Sequence, residues 1–319
     1  MTVLPKVSVM IITYNQKSLI SETIESVLLQ DYEKLEIVVA DDASTDGTQL
    51  VLQEYASKYP GKFILMLNKK NLGITRNCNT ALSACTGELI AVLGGDDLFL
   101  PGKISAQVGV FVDHPEVNLS YHAVEVFQHQ TGKILDVTNS NPKGDIRNIE
   151  DMLTKLGVPG GSSLMHRRSA IPPGGYDEKL PMVSDWLFML ELALSGEIRK
   201  LDGVYARYRK HGQGASDRTL EFLEESLRNV DLFLEKHPER ADLIVYCDRA
   251  KARYIAGEAF RQLRVDREVA EKLLIRSVSL DRDNRKYLIL LGISKVPILA
   301  GITGYFLHLI KAKLKSLAL

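Results

Sequence analysis

The chain has 319 residues, 45% of them hydrophobic, enough for one large α/β domain with an appendage or for two domains. It carries 40 Lys and Arg against 40 Asp and Glu, so the basic footprint of a nucleic-acid binder is absent and no nucleic-acid partner is expected. Three cysteines, Cys78, Cys85 and Cys247, are odd in number and lack C-x-x-C spacing, which argues against a disulfide framework or a zinc site and suits a reducing cytosol.

Met1 leads almost directly into an apolar run, without the segments of a signal peptide, so a cytoplasmic location is expected. Val7 to Ile12 reads as a strand buried on both faces, and Thr13-Tyr14-Asn15 ends it with polar groups. A helix follows, with Ile20, Ile24, Val27 and Leu28 on one face. Leu35 to Ala40 is a second buried strand that stops on Asp41-Asp42 and a turn-rich stretch. A second helix carries Val51, Leu52 and Tyr55, and Phe63 to Leu67 is a third strand. Ile74, Cys78, Ala81, Leu82 and Cys85 mark a third helix. Leu89 to Leu93 is a fourth strand, ending in Gly94-Gly95-Asp96-Asp97, and Pro101 opens the next helix with Ile104, Val108, Phe111 and Val112.

Strand and helix repeated with short linkers call for a parallel sheet with right-handed crossovers. The polar strand ends then collect on one sheet edge, where open α/β sheets bind ligands. Asp42 and Asp97 become neighbours in a cleft through topology. Adjacent carboxylates such as Asp96 and Asp97 repel unless a cation or donors lie between them, and a hard divalent ion completed by phosphate oxygens meets that need. A solvated turn is the competing reading, because Asp is a common turn residue. The first strand lacks G-x-G-x-x-G, and G-x-x-x-x-G-K-[ST] is absent too. Without such a glycine loop, a metal is the remaining way to neutralise a pyrophosphate.

Four stretches carry a resemblance: Val7-Ser8-Val9 through Thr13-Tyr14-Asn15, Asp41-Asp42-Ala43-Ser44-Thr45-Asp46-Gly47-Thr48, Asn71-Leu72-Gly73-Ile74-Thr75-Arg76-Asn77, and Gly94-Gly95-Asp96-Asp97. In order and spacing they resemble the GT-A family 2 glycosyltransferases, over about residues 5 to 215. The resemblance implies a Rossmann-like, mostly parallel sheet flanked by helices, and an inverting transfer from a nucleotide-diphosphate sugar, UDP-linked as the first guess. It implies that Tyr14, with Thr13 and Asn15 beside it, lies against the nucleotide. Asp42 would bind the base or ribose, Arg76 would line the base pocket, and Asp96 would face the ribose or metal. Asp97 would ligate Mn²⁺ or Mg²⁺. Many members carry a further Asp where this chain has Gly94. That departure keeps a catalytically silent nucleotide-sugar binding or scaffold protein as an alternative. A sugar nucleotidyltransferase is disfavoured by the missing glycine loop.

Ser120 to Phe127 and Lys133 to Val137 read as a hairpin. Gly157 to Ser163 is small and flexible, and in the family this region borders the acceptor, so Ser162 and Ser163 are candidate donors to acceptor hydroxyls. Ser184 is placed to cap a helix that Gly196 stops. Asp185 falls in its first turn, where the helix dipole favours an anion. In the family the Asp of this motif is the catalytic base, and Trp186 fits either the sugar site or the core. Tyr208-Arg209-Lys210-His211 looks like the family's Tyr-Arg-x-His segment, so His211 is a candidate metal ligand or diphosphate donor, with Gly212 and Gly214 allowing loop closure. The acceptor expected from the resemblance is a glycan or lipid-linked hydroxyl of a bacterial surface polysaccharide.

The expected division is a catalytic domain over 1–215, with nucleotide-sugar binding in about 1–115 and acceptor and catalytic parts in 116–215, followed by a helical extension over 216–319. Residues 252–284 loosely resemble one tetratricopeptide-type helix pair. Residues 287–319 are apolar, interrupted by Lys295 and Pro297 and followed by Lys311, Lys313 and Lys315. They make a poor membrane span. They fit either a helix lying at an anionic inner membrane surface or a helix packed on the core or in a homodimer.

Overall fold

The computed structural model describes residues 4–212, 219–263 and 265–294. The chain divides into two compact units, Met1–Gly214 and Ala215–Leu319.

The first unit opens with strands β1 (Val7–Thr13), β2 (Leu35–Asp41), β3 (Phe63–Leu67) and β4 (Leu89–Gly94). Helices α1 (Ile20–Leu28), α2 (Thr48–Lys58) and α3 (Ile74–Ala84) connect them. These strands pair in parallel in the order β3-β2-β1-β4. The near-continuous apolar runs of β1, β2 and β4 are buried because helices cover both faces. Ile11, Ile24, Ile37, Leu89 and Ile104 lie in one core cluster.

Next come β5 (Leu98–Phe99), α4 (Lys103–Asp113), β6 (Val117–Gln128), β7 (Ile134–Thr138), α5 (Ile149–Thr154), β8 (Met165–Arg167), α6 (Asp185–Ser195) and β9 (Glu197–Lys210). Among the described residues the sheet continues as β4-β8-β6-β9-β5, with β7 on β6. The β6–β7 hairpin matches the sequence expectation. The short β5 and the long β9 go beyond it. Only Ile198, Ala206 and Arg209 of β9 are buried, so no apolar rhythm announces that strand. It forms because β6 lies beside it in parallel and β5 pairs with its far half.

In the second unit, α7 (Leu223–Lys236), α8 (Ile244–Gln262), α9 (Arg267–Leu280) and α10 (Arg285–Ser294) follow one another. The pair read from residues 252–284 is the contact of α8 with α9, where Ser277 Oγ donates to Ala252 O at 2.9 Å. Among the described residues no helix is long and apolar enough to cross a membrane. Residues 295–319, which carry most of the surface or dimer segment proposed from sequence, lie outside the described residues, as does Gly214.

Candidate active site

The C-terminal ends of β2, β1 and β4 lie side by side. Asp42 N donates to Thr13 O at 3.0 Å, and Gly95 N donates to Ile12 O at 2.9 Å. After Thr13 the chain turns through Asn15, whose φ of 52° is left-handed and which Asn tolerates better than most residues. Asn15 is tied to the neighbouring loop in both directions: its N donates to Ser44 Oγ at 2.8 Å and its Oδ1 accepts from Thr45 N at 2.9 Å. Tyr14, between them, is 49% exposed.

The two acids ending β2 are both buried, and each serves a different loop. Asp41 accepts from Ser44 N and Gln49 Nε2, at 2.9 and 2.6 Å. Asp42 holds the loop before α3: Oδ1 accepts from Leu72 N at 2.7 Å and Asn68 Nδ2 at 3.2 Å, and Oδ2 accepts from Gly73 N at 2.9 Å. A carboxylate oxygen has two acceptor directions, so Oδ2 keeps one for a ring N–H or hydroxyl.

The Asp96–Asp97 pair is held by the end of β9. Arg209 N donates to Asp97 Oδ1 at 2.9 Å, and Arg209 Nε donates to Asp96 O at 2.7 Å. The same buried guanidinium reaches Glu22 at 2.6 Å and His129 at 3.0 Å, and lies over the Phe127 ring at 4.8 Å. His211 Nε2 meets Asp96 Oδ2 at 2.8 Å. Burial, then the charge of Asp96, hold the Asp97 carboxyl well above the usual carboxylate range, while the hydrogen bond from Arg209 N pulls the other way.

One oxygen of each carboxylate is thus engaged. The others, Asp96 Oδ1 and Asp97 Oδ2, border the same space in front of Gly94: a Cβ placed on Gly94 would lie 2.8 and 3.7 Å from them. Two repelling oxygens converging on a space that a methyl group would fill suit a hard divalent cation, which takes one or two carboxylates and completes its shell with phosphate and water oxygens. Among the described residues no three His, Cys, Asp or Glu side chains converge as a full metal cage.

Asp185 begins α6, with Oδ1 accepting from Trp186 N at 3.0 Å. Solvent reaches its side chain, while protein around it raises its pKa through desolvation. Burial first, then the charges of Asp185 and Asp42, push the Cys78 thiol up to about 12, so both carboxylates lie within electrostatic reach of one buried sulfur.

The serine readings are corrected. Ser184 does not cap α6 with its side chain. Its hydroxyl lies 2.9 Å from Thr75 Oγ1. Ser162 and Ser163 are buried, and Ser163 Oγ donates to Gly160 O, so neither is set out for an acceptor. Trp186 is a core residue whose Nε1 donates to Met152 O at 3.4 Å. Arg76 stands in an exposed ion pair with Glu178 at 2.8 Å. Such pairs contribute at most about 1 kcal/mol, so its guanidinium can leave Glu178 for another partner. The sequence reading does not single out Arg209, two positions before His211 in the quoted motif, although it binds both members of the acid pair.

Residues 8–171 match the sequence profile described as Glycosyl transferase family 2. The chain belongs to this family. An uncharacterized protein of Mycobacterium tuberculosis is 32% identical over 212 residues, which are 65% of this chain and 59% of that protein. The chain therefore spans about three fifths of that relative's length. S. aureus TarS (residues 1–349) shares the fold at TM-score 0.65 and 18% identity, over 94% of this chain and 89% of that one. A Pyrobaculum calidifontis mannosyltransferase, solved with GDP-Man and Mn²⁺, aligns at TM-score 0.56 and 19% identity, over 95% and 88%. The architecture of the family 2 chain is thus GT-A-like: a mixed sheet with flanking helices, followed by further helices.

Proposed function

We propose that the chain is an inverting glycosyltransferase that moves a sugar from a nucleotide-diphosphate donor to an acceptor hydroxyl. The observation that carries this reading is the pair of unengaged oxygens, Asp96 Oδ1 and Asp97 Oδ2, bordering one space at the sheet edge where the family's motifs meet. Asp42 Oδ2 has acceptor capacity left for a base N–H or ribose hydroxyl, and the exposed Tyr14 offers a face for the base. Asp96 and Asp97 hold Mn²⁺ or Mg²⁺, with Arg209 and His211 orienting their carboxylates. Bound there, the ion supplies charge to offset the departing diphosphate.

Asp185 is the base. The acceptor oxygen attacks the sugar C1, the C1–O bond to the diphosphate breaks on the opposite side, and the hydroxyl proton passes to the Asp185 carboxylate. UDP is the first donor nucleotide to try, since TarS has been solved with UDP-GlcNAc, and GDP follows from the mannosyltransferase. The acceptor class is a glycan or lipid-linked hydroxyl.

Thermal unfolding with UDP, GDP and dTDP, each with and without Mn²⁺, tests the site. A ligand at 100 times its Kd adds about 2.7 kcal/mol. A metal-dependent shift with one nucleotide, lost in Asp97→Ala, is the expected result. A shift of equal size without metal, or one retained by Asp97→Ala, would overturn the assignment of the pair.

A further inference from the structure

A run of hydrogen bonds leads from the donor side of the site to the segment that delivers Asp185. It begins at Asp42, which fixes the N–H groups of Leu72 and Gly73 at 2.7 and 2.9 Å. Gly73 has a φ of +88°, a conformation side chains resist, so the loop turns sharply there into α3. Two residues on, Thr75 crosses to the stretch before α6. Its N donates to Pro181 O at 3.2 Å, and its hydroxyl donates to Leu180 O.

Thr75 has one hydroxyl proton, and Leu180 O can only accept. Thr75 Oγ1 is therefore the acceptor in its 2.9 Å contact with Ser184 Oγ, and Ser184 is the donor. Thr75 and Ser184 are both buried, at 1% and 4% exposure, so water does not compete for these bonds. Ser184 directly precedes Asp185 and makes no side-chain cap on α6. Its hydroxyl is spent on Thr75.

We infer that Thr75 is a positioning residue: through Ser184 and the carbonyls of Leu180 and Pro181 it sets where the Asp185 carboxylate stands relative to the donor loop that Asp42 holds. This rests on the reading of Asp185 as the base. The loop and the base are then one braced unit, and loss of the brace acts on the chemical step and leaves donor binding intact. Misplacing a reacting group by about 1 Å can cost on the order of 100-fold in rate.

The test uses the full chain with Mn²⁺ and UDP-N-acetylglucosamine, following UDP release, with crystal structures of the variants as a second readout. Thr75→Val keeps the side-chain volume and removes the hydroxyl. Its kcat should fall about 10- to 100-fold with KM for the donor unchanged. Thr75→Ser, which keeps the hydroxyl, should restore most of the rate. Ser184→Ala should act in the same direction, and the double variant should be no worse than Thr75→Val, because both lesions cut one link. In the Thr75→Val crystal structure the Asp185 carboxylate should be displaced.

Asp185→Asn separates the two failures. If it turns over like the parent chain, the base assignment is wrong, and the position of Asp185 in the Thr75→Val crystal decides the brace alone. If Asp185→Asn is inactive while Thr75→Val keeps full kcat, or leaves the Asp185 carboxylate in place, the positioning role is overturned.

Discussion

Arg209 and Asp97 lie 112 positions apart in sequence, yet the Arg209 N–H meets Asp97 Oδ1 at 2.9 Å. The same residue binds the main chain of Asp96 through Nε, so one arginine fixes both members of the pair. Its guanidinium is planar and also serves Glu22 and His129. A lysine has the charge without that fork. Arg209→Lys should therefore leave the fold in place and weaken the Mn²⁺ dependence of nucleotide binding. Arg209→Ala should also lower stability, by about 2 kcal/mol, because the charge-assisted bonds of its buried guanidinium to Asp96 O and Glu22 and its packing on Phe127 are lost. Urea unfolding and Mn²⁺ titrations of both variants check this. Equal metal dependence in all three proteins would remove Arg209 from the site.

Gly94 leaves open the space that Asp96 Oδ1 and Asp97 Oδ2 share. Its backbone has no left-handed φ, so alanine is conformationally permitted. The added Cβ would stand 2.8 Å from Asp96 Oδ1 and force that carboxylate aside. Gly94→Ala should fold normally and lose about 10- to 100-fold in Mn²⁺ affinity, the usual cost of disturbing a ligand's orientation. The measurement is the Mn²⁺ concentration that half-restores the UDP-dependent thermal shift. An unchanged midpoint would place the ion elsewhere.

Asp185 has its pKa raised by desolvation. The folded state then binds a proton more tightly than the unfolded chain. Its contribution to stability is fully present below the ordinary carboxylate value and is lost as pH rises through the raised one. Ionised Asp185 thus costs stability at neutral pH. Asp185→Asn should melt above the parent chain at neutral pH. That advantage should shrink as pH falls through the raised value, and vanish below about 3.9. The same substitution should cut transfer by about 10²- to 10⁴-fold while donor binding persists. Melting curves across pH and single-turnover rates test the two halves separately.

Lys103 is fully buried in α4, with Nζ donating to Gln107 Oε1 at 2.6 Å and lying 4.2 Å from the centre of the Phe99 ring. Burial holds its ammonium well below the usual lysine value. Between its lowered value and the ordinary lysine value the unfolded chain binds a proton that the folded chain does not, so stability from this group rises with pH across that window, by up to about 1.4 kcal/mol per unit. Lys103→Met should remove that slope. Denaturant unfolding of both proteins from pH 7 to pH 10 measures the difference. Parallel curves would mean that Lys103 is charged in the folded state.

The strands β1 to β4 and the three helices between them were legible because each strand is a near-continuous apolar run and each helix carries apolar residues at three- and four-residue spacing. Period and burial reinforce each other there. Their polar ends, Thr13-Tyr14-Asn15, Asp42 and Asp96-Asp97, followed from the topology of a parallel sheet, which gathers strand ends without any motif linking them.

β9 and Arg209 lay beyond that reasoning. Few residues of β9 are buried, and its partners are set by contacts across the whole unit, so local pattern carries no signal for it. The sequence likewise offered Ser184 as a helix cap, since Ser before a helix has a short-range partner in the backbone. Tertiary structure brought Thr75 within 2.9 Å and supplied a buried acceptor instead. What the chain determined by itself was the set of groups at the sheet edge, because alternating apolar and polar segments leave few other arrangements. Which carboxylate oxygens are engaged, and which are left to face one another across Gly94, was decided only when distant strands closed around them.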